Sequence, residues 1–408
     1  MTVSLPCKVH SGYNPGHCLP PPMNTDMTTG IAETARRGGR EFLAMALHAS
    51  RARTLALLDA YAATLGDSLS VPYSPQLNPP LWEAGHVGWF QDYWIARNHQ
   101  RACGTTCDPE HERPVGRLPQ ADALYNSSRV AHTMRWQLDL PDLAATRAYL
   151  AEGLAETLSL LATTPETDVA LYFFRLVLFH EDMHGEAGIY MAQALDIPLS
   201  DALLAAAVPL PEARLLVVPA GQWTLGWSGD GFAFDNELAP HALAMPTFAI
   251  DSEVVSWRRY LPFVEETGAA TPRYLRRHAG HWQQRVFGQW QDLAIDTAAT
   301  HLSWKEAEAW CRWAGRRLPS EAEWEMAARS RPDFRWGQVW EWTASRFLAY
   351  PGFSAHPYRD YSAPWFDDRY VLRGASRATS PRLVHARYRN YFTPERNDLH
   401  NGFRSCAA

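Results

Sequence analysis

Between residues 36 and 205 the apolar positions recur at the period of an α-helix. Phe42, Met45, Ala46, Ala49, Leu55, Leu58 and Tyr61 fall at spacings built from three and four. Trp82 to Ile95 repeats the pattern behind Pro79-Pro80, a start signal because proline suits the first turn of a helix. Asp142 to Ala162 and Thr167 to Leu195 complete a set of four, which Asp196-Ile197-Pro198 ends. Four such helices predict a bundle of antiparallel neighbours, in which facing helices can supply inward-pointing ligands.

An Ala/Pro-rich connector covers Ala205 to Arg214, and the period then changes. Leu215 to Gly221 followed by Trp223 to Gly226 reads as strand, turn, strand. Ser303 to Ala314 returns to a helical period, with Ser303 as N-cap and Glu306 completing a capping box. The C-terminal third reads as loop with scattered aromatics. Residues 1–35, rich in Pro, Gly, Ser, Thr and Asn, carry no apolar period and are expected to form a disordered or loosely docked arm. Cys7, His10, His17 and Cys18 lie on that arm and are not read as metal ligands. The chain therefore divides into an arm (1–35), a helical bundle (36–205) and a second domain (206–408), of α+β class overall.

Composition narrows the functional classes. A chain of 408 residues, 46% hydrophobic and 20% charged, is long enough for two cores. A net charge of -6 gives no electrostatic footprint for nucleic acid or an anionic membrane. With no apolar run of spanning length and no basic-then-apolar start, the expected location is the cytoplasm. Oligomeric state is not readable. Six irregularly spaced cysteines do not form a disulfide framework, and Cys103-Gly104-Thr105-Thr106-Cys107 is too isolated for a zinc site.

The candidate chemistry lies on the fourth helix, in Phe179-His180-Glu181-Asp182-Met183-His184. Histidines four apart project from one helix face about one turn apart, as a shared metal requires. The third candidate is His86, on the second helix among aromatic residues that would keep water away. Alone it would read as a core histidine; with His180 and His184 it reads as a ligand. Three neutral imidazoles suit divalent iron, zinc, copper or nickel and leave coordination positions open. Glu181, Asp182 and Glu83 either point away or accept from a ring N–H. Trp89 and Phe90 read as core.

Further motifs carry a resemblance: Arg317-Leu318-Pro319-Ser320-Glu321-Ala322-Glu323-Trp324-Glu325, Val339-Trp340-Glu341-Trp342-Thr343, Val371-Leu372-Arg373-Gly374-Ala375-Ser376 and Asn401-Gly402-Phe403-Arg404. Joined to the histidine-bearing bundle, they resemble the nonheme iron sulfoxide synthases of ergothioneine biosynthesis, and within that group the selenoneine-forming branch. The resemblance covers nearly all of residues 38–408. It implies a DinB-like four-helix bundle followed by a formylglycine-generating-enzyme-like domain, a relative of C-type lectins. It further implies Fe(II) held by His86, His180 and His184, dioxygen as co-substrate, and hercynine, the trimethylated betaine of histidine, as substrate.

The same resemblance points to Tyr361 as the catalytic tyrosine, with Tyr358 an alternative. It places the trimethylammonium contact at Tyr391 and Phe392, with Asn390 beside them, since that group attracts aromatic faces and has no N–H to donate. Glu321, Glu323 and Glu325 belong to a structural helix start. Two departures stand out. Met183 occupies the position of a glutamine that helps hold the hercynine carboxylate, and Ser127 to Trp136, with Arg129 and Arg135, replaces a loop richer in arginine. Fewer cations imply a less acidic chalcogen donor, and a seleno-sugar fits; γ-glutamylcysteine or cysteine is the sulfur alternative. A DinB-like zinc thiol transferase and a non-catalytic binder are the readings outside this chemistry. Formylglycine generation is set aside because its close cysteine pair near the C-terminus is missing.

Overall fold

The computed structural model describes residues 25–408; Cys7, His10, His17 and Cys18 lie outside them. The helical half contains α1 (Thr25–Arg37), α2 (Arg40–Leu65), α3 (Pro80–Gln91), the short α4 (Ala121–Tyr125), α5 (Leu143–Thr163) and α6 (Asp168–Ala194). Helices α2, α3, α5 and α6 pack as the bundle. Their starts follow local chemistry: Pro79-Pro80 opens α3, Asp142 accepts from the Ala145 N–H, and Thr167 accepts from the Ala170 N–H. Most of α6 is buried, which makes it the central element rather than a surface helix with one apolar stripe. Helix α3 runs into a π-helical turn at Asp92–Ala96.

The second half adds α7 (Trp257–Thr267), α8 (Trp304–Trp313) and α9 (Glu321–Ser330) around small sheets. One sheet has the order Leu215–Val218, Phe248–Asp251, Cys406–Ala407, Arg316–Arg317. Another has Asn390–Phe392, Tyr370–Gly374, Trp340–Arg346 and Asn401–Phe403, the last two running parallel. The strands Leu215–Val218 and Gly221–Leu225 form where the pattern predicts, yet they do not pair with each other. The first pairs with Phe248–Asp251 and the second with His241–Met245. Several C-terminal segments expected as loop are strands, short enough to escape a period-based reading.

Both capping boxes are made: Ser303 with Glu306 at α8, and Ser320 with Glu323 at α9. Glu321 and Glu325 serve structure as well, pairing with Arg389 and Arg373 respectively. Deeper still, Arg404 grips Glu341 at 2.5 and 2.8 Å with both side chains fully buried, and Glu341 also accepts from the Trp324 indole N–H at 2.7 Å. No helix among the described residues is long and apolar enough to cross a membrane.

The expected arm ends earlier than residue 35, because α1 is a docked helix. Ala32 and Ala35 are fully buried, and Arg36 reaches Glu237 of the second half at 2.7 Å. Composition hid this, since the docking rests on small side chains and on long-range polar contacts of Glu33 with His385 and of Arg36 with Phe232 and Glu237. From α6, Asp182 accepts from Arg382 at 2.5 and 2.7 Å, and Glu186 accepts from Trp340, Ser376 and Thr379. The two halves meet along α6, the helix that carries two of the three histidines.

Candidate metal centre

His86, His180 and His184 each offer one ring nitrogen, and these three atoms lie within 4.8 Å of one another. Glycine sets the first ring. Gly85 lets the Tyr125 ring lie against α3, where a methyl group would collide with it. The Tyr125 carbonyl then accepts a hydrogen bond from His86 Nδ1 at 2.8 Å. Trp82 stacks on the His86 ring at a centroid distance of 4.9 Å, and Trp89 packs on its other side. His184 Nδ1 donates to the Glu83 carboxylate at 3.1 Å. An acceptor on each Nδ1 fixes the tautomer, so each Nε2 presents a lone pair.

His180 is held by packing: Phe90 stacks on it at 3.5 Å, nearly parallel. Trp89 and Phe90 are thus buried core residues that also form the walls of the histidine cluster, a double role the sequence reading did not assign.

Electrostatics favour neutral rings at His86 and His180. Burial, reinforced by His184, pushes His86 down to about 3, and burial pushes His180 well below its ordinary value. Burial alone would raise the Glu83 carboxyl, but the combined pull of His184, His86 and Arg135 lowers its pKa. His180 Nε2 and His184 Nε2 lie 3.2 Å apart. With both Nε2 atoms unprotonated, two lone pairs that close would repel, and a cation between them would remove the repulsion. The donor set therefore fits a divalent transition metal, with no carboxylate among the three ligand atoms.

Glu181 and Asp182, beside the histidines in sequence, point elsewhere. Glu181 is clamped by Arg51 at 2.7 Å and by Thr54 at 2.8 Å, and Asp182 by Arg382 and Ser50. Glu83 is the carboxylate that orients a ring. Glu83→Ala is expected to lower metal affinity by about 10- to 100-fold while the helices stay folded. Titration with a competing chelator, alongside circular dichroism, checks this; unchanged affinity would remove Glu83 from the site.

Two cavities lie near the histidines, and His184 lines the first of them. One, of about 240 Å³, lies between α6 and the second half, and its lining includes Glu83, Met183, His184, Tyr388, Asn390 and Phe392. The other, of about 360 Å³, has an aromatic floor of Trp89, Tyr93, Trp94 and Tyr358. Its rim carries Asn126, Ser128, Arg129 and Asp360. Asn390 and Phe392 thus share a cavity with His184. Tyr391 does not: successive strand residues face opposite ways, and its ring stacks on Phe347 at 3.9 Å while its hydroxyl donates to the Tyr361 carbonyl. Arg129 lines the second cavity. Arg135 lies over the Trp82 ring at 3.9 Å and donates to Asn78 at 2.7 Å.

Tyr361 hydrogen-bonds Tyr388 through the two hydroxyls at 3.0 Å, and both lean on the Met183 sulfur, at 3.8 and 3.2 Å. Tyr388 was not singled out in the sequence; it meets Met183 only through the fold. Tyr358 stands edge-on to His180 with ring centroids 6.2 Å apart. Cys311 and Cys406 are buried, which pushes each thiol up to about 12 and keeps it protonated.

Comparison with known proteins settles the family. Residues 46–187 match the DinB superfamily, and 202–338 match the sulfatase-modifying factor enzyme 1-like domain. The hercynine oxygenase of Mycolicibacterium smegmatis is 30% identical over 438 aligned positions, covering 90% of this chain and 98% of that protein. The chain belongs to the hercynine oxygenase family. The Mycobacterium tuberculosis hercynine oxygenase agrees, at 30% identity over 89% of this chain and 98% of its own length. The formylglycine-generating enzyme of Streptomyces coelicolor is 31% identical over only 31% of this chain and 52% of that protein. The family fold is α+β, a DinB helical domain followed by a sulfatase-modifying-factor domain, as the motifs imply.

Proposed function

We propose that this chain is an iron(II)- and dioxygen-dependent synthase that joins selenium from a seleno-sugar to the imidazole of hercynine. The observation that supports it most is the three-histidine cluster beside a cavity that His184 lines, with a second cavity behind Trp89 and Tyr358, which pack against His86 and His180. Bound there, iron would supply the redox chemistry that activates dioxygen. Three neutral ligands leave its double charge uncompensated, which favours an anionic chalcogen donor.

The residues divide the remaining work. Asn390 and Phe392 offer an amide and an aromatic face to hercynine beside His184. In the other cavity two arginines, Arg129 and Arg359, are matched by two acids, Glu110 and Asp360. That balance gives little purchase on a dicarboxylate such as γ-glutamylcysteine. An aromatic floor under an amide and hydroxyl rim suits a sugar ring. Tyr361 supplies the proton: burial lifts its pKa well above the ordinary phenol value, so it stays protonated at neutral pH. Tyr361→Phe is expected to cut turnover by about 10²- to 10⁴-fold with metal content unchanged. Tyr358→Phe, run in parallel, separates the two phenols; a normal rate for Tyr361→Phe with a collapsed rate for Tyr358→Phe would reassign the role.

The second reading is an ergothioneine-type sulfoxide synthase taking γ-glutamylcysteine or cysteine, which the same histidines and hercynine cavity would serve. A zinc thiol transferase would need only the bundle, yet here the second half walls both cavities. The deciding experiment incubates anaerobically iron-loaded protein with hercynine and air, offering 1-seleno-glucose, γ-glutamylcysteine or cysteine separately, with products identified by mass spectrometry. A selenium adduct of hercynine without thiol products is expected. A sulfoxide from either thiol would move the protein to the sulfur branch, and silence with all three would remove the synthase reading.

A further inference from the structure

Glu83 and His184 line a smaller void as well as the cavity between α6 and the second half. This void measures about 40 Å³ and lies inside the bundle, among α2, α3 and α6. Leu57, Leu58, Ala84, Val87 and Met191 give it an apolar wall, to which Gly185 and Gly188 add no side chain. Gly188 also lets Leu57 close on α6, since a methyl group there would come within 2.9 Å of the leucine Cδ1. The polar groups on the wall are spent within the protein. Thr54 donates to Glu181 at 2.8 Å, Tyr61 donates to the Gly188 carbonyl at 2.7 Å, and Glu83 accepts from His184 and Asn78. None of these lining side chains carries an unpaired buried polar atom. A buried water needs about two to four polar partners, and a void without free ones stays dry and takes apolar guests. The size admits a diatomic gas and excludes an organic substrate.

We propose that this void is a docking site for dioxygen, which holds the gas beside His184 and supplies the metal centre from within the bundle. An apolar diatomic gives up no hydrogen bond on leaving water, so a dry apolar void holds it where water is disfavoured. Docking inside the bundle leaves the cavity between α6 and the second half to the organic substrate, so gas and substrate do not contend for one space. Dioxygen as the guest rests on the function proposed above; affinity for a small apolar gas rests on the void itself.

The test loads the full chain with zinc, which is diamagnetic, and records methyl NMR spectra under nitrogen and under pressurised dioxygen. Dioxygen is paramagnetic and broadens the methyl signals it touches. Leu57, Leu58, Val87 and Met191 should broaden more than Ile250 and Val255, which are at least as deeply buried in the second half. Val87→Ile puts a further methyl group into the void and should remove most of that excess; Leu57→Val enlarges the void and should increase it at Leu58 and Met191. With iron and the substrates, Val87→Ile is expected to raise KM for dioxygen by about threefold, with kcat and KM for hercynine unchanged. Broadening no greater than at Ile250 and Val255, or an unchanged KM for dioxygen in a folded Val87→Ile, would overturn the assignment. Should Val87→Ile not fold, an increase in Leu57→Val supports the assignment and no increase overturns it. If the wild type makes no product, the proposed function has failed and the methyl signals alone decide. Excess broadening that Val87→Ile removes then supports the gas site, whereas an excess that persists or never occurs overturns it.

Discussion

His180→Ala should leave a folded protein that holds no metal after iron loading and desalting, and that makes no product. His180 contributes one of three nitrogens and packs on Phe90 across α3 and α6. Among the described residues no further ligand joins the two imidazoles left behind, because Glu181 and Asp182 are committed to Arg51 and Arg382. Rescue by a neighbouring carboxylate is therefore closed off. The loss should exceed the 10- to 100-fold that about one outer partner is worth. Metal content by elemental analysis and product by mass spectrometry read it out. Full activity, or one retained ion per chain, would sink the three-histidine assignment.

Glu341→Ala is expected to be the most damaging change to stability. It strips the anion from Arg404, whose guanidinium is fully buried, and leaves the Trp324 N–H without its acceptor. Breaking one side of a buried pair costs about 3–5 kcal/mol, because the remaining charge is stranded away from water. For a domain of this size that corresponds to a fall in Tm of roughly 10 °C. Differential scanning calorimetry checks it, with the second-half transition moving. A shift below about 2 °C would mean that water reaches Arg404 in the folded state.

Sequence and structure divide the explanation unevenly. Four helices are legible because their apolar residues recur at helical period, and the starts of three are written in Asp142, Thr167 and Pro79-Pro80. His180 and His184 are legible as a pair because one helix fixes their spacing. His86 is legible only as a candidate, from its aromatic surroundings, since no local rule ties α3 to α6. What the chain hides is contact at long range. Asp182 looks like a metal neighbour until Arg382, 200 residues away, claims it. Tyr388 and Glu186 are ordinary residues in sequence and gain meaning only when the second half folds over α6. Tyr391 fails for a local reason: strand alternation separates it from Asn390 and Phe392, a pairing the short strand did not reveal beforehand.

The strand order carries a consequence for synthesis on the ribosome. Asn401–Phe403 pairs with Trp340–Arg346, and Cys406–Ala407 sits between Phe248–Asp251 and Arg316–Arg317. Neither sheet can close until residues near 407 have emerged from the exit tunnel. The bundle, finished some two hundred residues earlier, can fold while translation continues. A nascent or truncated chain therefore holds its histidine cluster without the wall that Trp340, Tyr388 and Phe392 provide. A metal ion captured at that stage would face solvent, so metal loading is best timed after the second half has folded.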